Sequence, residues 1–322
     1  MLRNKKMKLV LLICMVVLVT NAVFAANDFP NKPITVVVPF APGGGTDMIL
    51  RPIMAFAQQY LGQPLVAEYK PGAGGVTALA EFAKAKPDGY TLIMMSTQSL
   101  LVNPHVQKLP YDFDDFQAIA QMAEDDYYLA VNSNSPWTTA DDFINDARRA
   151  SKSIKGGHAG VFSPQHLVLE LLQQKYQANI TPIPFQGGSG SLAATLGGHT
   201  DVVVDYQNLF TPHVEAGNLR ILASTGEERS VVTPDIPTFA EQGYDISFGS
   251  WKGFHAPKGI SAERVSFLEE GFRKVFEDKA YQTMVKQLNG SPKFRTAEEF
   301  QSYLEKSNEV YFEVLKGSGY VK

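Results

Sequence analysis

The feature that most constrains this chain is a repeated unit in which an apolar run ends in a glycine-rich turn that opens a segment of helical period. Ile34 to Phe40, dominated by Val36, Val37 and Val38, reads as a buried strand running into Ala41-Pro42-Gly43-Gly44-Gly45-Thr46-Asp47. Beyond it Ile49, Ile53, Met54, Ala57, Tyr60 and Leu61 recur at helical spacing. Thr46 or Asp47 is placed to cap that helix, and Pro52 implies either a start nearer Met48 or a bend. The unit repeats with the strand Leu65 to Tyr69, the turn Lys70-Pro71-Gly72-Ala73-Gly74-Gly75, and a helix bearing Val76, Leu79, Ala80 and Ala83 on one face. A third strand, Thr91 to Met95, ends at Ser96-Thr97. Strands alternating with helices through short turns predict a mostly parallel, doubly wound α/β sheet, with ligands outside the carboxyl ends of its strands.

A second series begins with the strand Tyr127 to Val131 and the capping-box-like Thr138 to Asp141. Ile154 to Val161 leads through Ser163-Pro164 into a helix bearing Leu167, Val168, Leu171, Leu172 and Tyr176, with Ser163 as N-cap and Pro164 at the first helical position. Ile180 to Phe185, the loop Gln186-Gly187-Gly188-Ser189-Gly190, a short helix and the strands Asp201 to Tyr206 and Leu219 to Ser224 follow, reading as a separate sheet. After an extended aromatic stretch, Phe248 to His255, the tail is helical, with Val265, Leu268, Phe272, Val275 and Phe276, then Phe300, Tyr303 and Leu304, and is expected to return to the first domain. Tyr127 to Val131 and Phe248 to Phe254 then cross between lobes as a hinge. The expected division is a signal peptide at 1–25, a discontinuous first domain at 26–126 plus 254–322, and a second domain at 127–253.

Arg3, Lys5, Lys6 and Lys8 precede an apolar run from Leu9 to Val19, with Ala22, Ala25 and Ala26 after it. This is a secretory pattern, too short to span the roughly 20 residues of a membrane core, and cleavage is placed after Ala25. The single cysteine, Cys14, would leave with it, which excludes disulfides, Cys-zinc sites and a cysteine nucleophile from the exported protein. Export also removes four of 29 basic residues and none of the 33 acidic ones, leaving a net charge near −8. Nucleic acid is therefore not an expected partner.

A glycine turn opening a helix presents N–H groups with no intrahelical acceptor, at the positive end of the helix dipole, and so binds anions without a cationic side chain. The turns at Gly43 to Thr46 and Gly72 to Gly75 should open on one rim of one sheet; the plainer reading is that their glycines only permit tight turns. Neither matches a nucleotide signature, and Gly187-Gly188-Ser189-Gly190-Ser191 misses the nucleophile elbow at its last position. The histidines at 105, 158, 166, 199, 213 and 255 show no short metal spacing, so no metal or cofactor is expected. Asp205, closing a run of valines, should sit at a strand's carboxyl end, as a ligand acceptor or a solvated strand-end carboxylate. Asp47 reads more naturally as a brace for its own loop than as a contact to an anion, and Trp251 as interdomain packing.

Pro30-Asn31-Lys32-Pro33-Ile34, then Pro39 to Asp47, Lys70 to Gly75, Pro87-Asp88-Gly89-Tyr90-Thr91-Leu92, Asn103-Pro104, Leu109-Pro110-Tyr111-Asp112, Glu228-Arg229-Ser230, Pro237-Thr238 and Glu241-Gln242-Gly243-Tyr244 occur in one order along the chain. This resembles the substrate-binding proteins of tripartite tricarboxylate transporters, the Bug or TctC family, over nearly all of the exported chain. The resemblance implies a periplasmic-binding-protein-like type II fold, two doubly wound α/β domains joined by two hinge crossovers. It implies a periplasmic monomer, not an enzyme, that captures a small carboxylate (a di- or tricarboxylate, aromatic acid or amino acid) and hands it to a large and a small membrane subunit. The implied ligand contacts are Phe40, Gly43, Gly44, Thr46, Asp47, Gly74 and Gly75, with Ser96 and Thr97, from the first domain. Ser163, Gln186, Gly187 and Asp205 would come from the second. The family's Gly-Ser-rich run stands here as Gly160-Val161-Phe162-Ser163-Pro164-Gln165-His166-Leu167, and its Tyr-Lys-Gly as Phe185-Gln186-Gly187, which bears on which ligand is selected. A sensor delivering its loaded form to a receptor, and an exported hydrolase using Ser163 or Ser189, are the alternatives.

Overall fold

The computed structural model of the chain describes residues 29–247, 249–288 and 290–321. The expected signal segment, with Cys14 and the cleavage site, lies outside the described residues. The fold is a curled mixed sheet with helices on both sides. In chain order its elements begin with β1 (Ile34–Val38), α1 (Gly45–Leu61), β2 (Leu65–Tyr69), α2 (Val76–Phe82), β3 (Thr91–Ser96), α3 (Asn103–Val106) and β4 (Phe116–Asn132). The middle of the chain gives α4 (Ala140–Arg149), β5 (Ile154–His158), α5 (Pro164–Tyr176), β6 (Ile180–Pro184), α6 (Gly188–Leu196), β7 (Val202–Tyr206), α7 (Gln207–Glu215) and β8 (Leu219–Ser224). The last part gives β9 (Gly249–Pro257), α8 (Ala262–Glu277), α9 (Lys279–Gln287), β10 (Pro292–Arg295) and α10 (Ala297–Gly317).

The parallel units form as the alternation predicts. β1 pairs in parallel with β2 and β3, and β5 pairs in parallel with β6 and β7. Leu50, Ile53, Ala57 and Leu61 bury the inner face of α1. That helix starts at Gly45, earlier than either expected cap, and accommodates Pro52 in its interior. Ser163 caps α5 as expected, whereas α4 is capped one residue later than read, by Thr139 and Asp142 in a reciprocal capping box.

The two series are not separate sheets, because β4 belongs to both. Its 17 residues pair antiparallel with β9 from Phe116 to Asp126, then with β7 and β8 from Tyr127 to Asn132. The expected strand Tyr127 to Val131 is only its second half. Gly249 pairs with Asp126 and Lys252 with Ser96, so β9 lies along the first half of the sheet. The tail also contributes a strand, β10, against the first half of β4.

The last helix touches both halves. Near its start Phe300 packs on β9, its ring 5.2 Å from that of Trp251. At its end Gln174 of α5 donates to the Val314 carbonyl at 2.9 Å and to Ser318 Oγ at 2.7 Å. The first of these contacts leaves no room on the neighbouring strand: a Cβ at Gly253 would lie 2.3 Å from the Phe300 ring and 2.9 Å from the Ala120 carbonyl. Gly253→Ala should therefore cost about 1–3 kcal/mol, seen as a lower urea midpoint with an unchanged slope.

Candidate ligand-binding site

A cavity of about 420 Å³ opens at the carboxyl ends of β1, β3 and β7, within the usual range of small-molecule sites. Such ends are where open α/β sheets bind ligands. One wall is Phe40, Gly44, Gly45 and Thr46, with Ser96 beside it; the opposite wall is Tyr206, Gln207 and Asn208 with Ser230 and Val232. The floor is Asp125, Asp126 and Tyr128 of β4 with Ser250 and Lys252 of β9, and Ser291 completes the rim.

The first wall is the turn into α1. Gly44 is the N-cap, in an extended conformation, and its cap has no side-chain hydrogen bond, so the first-turn amides of Gly45 and Thr46 have no partner within the helix. Behind the turn Asp47 is buried, accepting from the Gly43 amide at 2.7 Å, from Arg51 Nε at 2.7 Å and from the Tyr69 hydroxyl. Burial opposes its charge, but those bonds hold its carboxyl below the usual carboxylate range. Asp47 thus braces the turn, as its sequence context suggested.

Of the expected contacts, Phe40, Gly44, Thr46 and Ser96 come together on the cavity wall. Gly43 and Asp47 stand behind them. Gly74 and Gly75 take left-handed conformations in the second turn and do not line the cavity. A Cβ at Gly75 would lie 3.2 Å from Pro39 Cβ and 3.7 Å from Phe40, so this glycine lets the second turn support the first from behind. Thr97 is buried, its hydroxyl donating to the Gly249 carbonyl at 3.1 Å. Ser163 caps α5, and Gly187 donates to the Ala159 carbonyl at 3.1 Å; neither lines the cavity, nor does Gln186. Asp205 is not solvated at a mouth but 3% exposed, held by Gln165 and the Tyr206 amide, with Oδ2 packed where a Cβ on Gly188 would clash. Burial pushes its carboxyl up.

The residues missed from sequence are those of the floor. Lys252, only 7% exposed, donates to Asp125 Oδ2 at 2.7 Å, to Ser250 Oγ at 3.0 Å and to the Ser250 carbonyl at 3.2 Å. Burial would drive its ammonium down, but Asp125 holds it above the usual value. Asp126 has no such counter-ion. Burial, then the charges of Glu124 and Asp125, push its carboxyl up to about 7. A lone lysine in an aromatic strand, and an acid pair in the middle of an otherwise apolar one, were the available signals.

A family model described as the tripartite tricarboxylate transporter family receptor, TctC, matches residues 49–310. The chain belongs to this family. A protein of Cupriavidus necator, named for its place in the gbd 5′ region, is 33% identical over 279 residues, covering 86% of this chain and 85% of that one. The crystal structure of a TctC solute-binding protein from Polaromonas superposes with a TM-score of 0.84 at 27% identity, covering 90% of this chain and 99% of that one. MatC of Rhodopseudomonas palustris, solved with bound malate, has a TM-score of 0.67 at 28% identity, covering 89% and 100%. The family and these neighbours are binding proteins, not enzymes.

An acid whose folded pKa lies above its unfolded value is favoured by folding only in its protonated form. Its share of stability is therefore full below the unfolded value and falls as pH rises from about 4 to about 7. Asp126→Asn should stabilise the ligand-free protein at pH 8, by at most about 4 kcal/mol, with the gain vanishing by pH 4. Melting curves of the two proteins across that range check this.

Proposed function

We propose that this chain is an exported periplasmic solute-binding protein that captures a small carboxylate and delivers it to the large and small membrane subunits of a tripartite tricarboxylate-type transporter. The observation that carries the reading is the start of α1, without a side-chain cap, at Gly44 to Thr46, on the wall of the cavity in a member of the receptor family. Backbone amides at a helix start stabilise negative charge without the desolvation cost of burying a lysine or arginine. The malate bound by MatC supports a carboxylate as the guest.

In this reading the chain works as two lobes. The first takes residues 26–126 and 249–322, the second 127–248, with β4 and the segment before Gly249 as the crossings. The cavity draws on both, so closing the lobes would bury the guest. Ser96, Thr46 and Phe40 would meet it from one side and Tyr206, Gln207 and Asn208 from the other, while Gly43, Asp47, Gly74, Gly75 and Thr97 would shape the first wall from behind. Ser163, Gln186, Gly187 and Asp205 would act only through the packing of the second lobe.

A ligand specific for the folded state adds about 2.7 kcal/mol at 100 times its dissociation constant, so a melting screen against small carboxylates should find one that raises the transition. Gly44 has a backbone conformation open to any residue, φ −76° and ψ 173°, with the Ala41 carbonyl 3.2 Å from an added Cβ. Gly44→Val should fold, place its methyls in the cavity and weaken that ligand at least about tenfold, roughly 1.4 kcal/mol. No shift with any carboxylate, or an undiminished shift in Gly44→Val, would overturn the reading.

A further inference from the structure

The three charged residues that line the cavity are two acids and one base, Asp125, Asp126 and Lys252. The base is already spent. Its ammonium has three hydrogens, and it makes three hydrogen bonds, to Asp125 and twice to Ser250. What remains for a guest is a positive helix start on one wall and an uncompensated carboxyl, Asp126, on the floor.

Most of the charged groups around that carboxyl are engaged with one another. On its own strand Glu124 pairs with Arg295 and accepts from Tyr303, while Asp125 pairs with Lys252. From the loop after β8, the Gly226 backbone lies against it, Glu227 pairs with Arg295, and Arg229 pairs with Glu241, Glu228 lying alongside on the same rim. From β10, Lys293 is the cation that favours its ionised form. A second carboxylate on the guest would face this acid-rich floor, and like charges at close range repel strongly in a poorly solvated site. A cation would relieve it, and Tyr128 and Tyr206 line the same cavity, the face of an aromatic ring being a surface that attracts an ammonium.

We propose that the guest is an aminocarboxylate, its carboxylate seated on the Gly44–Thr46 turn and its ammonium on Asp126. This rests on the proposed function and narrows it, making Asp126 the residue that separates amine-bearing acids from plain ones. The elevated pKa of Asp126 has a direct consequence: the pair with an ammonium forms only once that carboxyl ionises, so aminocarboxylate affinity should rise with pH through about 7.

The test is calorimetric titration of the exported protein with matched pairs: 4-aminobutyrate against butyrate, glutamate against glutarate, lysine against hexanoate, and butylamine as the amine alone, at pH 6 and pH 8. In at least one pair the amine-bearing member should bind about tenfold or more tightly than its partner at pH 8, the scale of one hydrogen bond to a charged group. Butylamine should not bind. In Asp126→Asn the ratio should collapse, and the pH dependence with it. Plain carboxylates that bind as well as their amino partners at pH 8 would overturn this inference and leave the carboxylate receptor standing. A ratio unmoved in Asp126→Asn would do the same. If no compound with a carboxylate binds, the receptor reading and this inference fail together.

Discussion

Everything in this architecture depends on one strand that is hydrogen-bonded along its first half to one group of strands and along its second half to another. Buried peptide groups must find partners, and β4 supplies them continuously from Phe116 to Asn132 across the line where the two halves meet. No loop is needed at that line. The residues at its middle, Glu124 to Tyr128, are thereby fixed at the base of the space between the halves. β9 then closes the first half with a fully buried run from Gly249 to Pro257, including Trp251 and Lys252. Asp125, Asp126 and Lys252, in the centre of these two strands, are thereby brought to the floor of the cavity.

The wall formed by the start of α1 is electrostatically finer. A helix start carries only about half a unit of positive charge, and Asp47, in the first turn of α1, would cancel it if left bare. Arg51 and Tyr69 engage that carboxylate, so the turn keeps its shape without turning its wall negative. The second glycine turn serves the first mechanically, since Gly75 allows Pro39 and Phe40 to be backed at close range. The start of α1 on one wall and the acids of the floor thus give the cavity surfaces of opposite electrostatic character.

Much of this was legible in the residues. The β-turn-α units announced themselves through valine runs ending in glycine, and Ser163-Pro164 marked the start of α5 because a capping hydroxyl and a first-turn proline have few other uses. The parallel strands and the family followed. β4 was half hidden because Gln117, Gln121, Glu124, Asp125 and Asp126 interrupt its apolar pattern, and antiparallel pairing with a strand more than a hundred residues away leaves no local mark. The lining of the candidate cavity was legible only where it is local: Phe40, Gly44, Thr46 and Ser96 adjoin the turns that named them. Asp126 and Lys252 are brought to one cavity by tertiary pairing alone, and Asp205, at a strand end that should have faced solvent, is instead covered by α6 through Gly188.

The last helix gives the molecule a strut. Between Phe300 at one bearing and Val314 at the other lie roughly 21 Å of helix at its usual rise, stiff along its axis and fastened at each end to a different half of the sheet. Splaying the two halves apart would stretch the span between those bearings and break one of them, whereas a twist about β4 would preserve both.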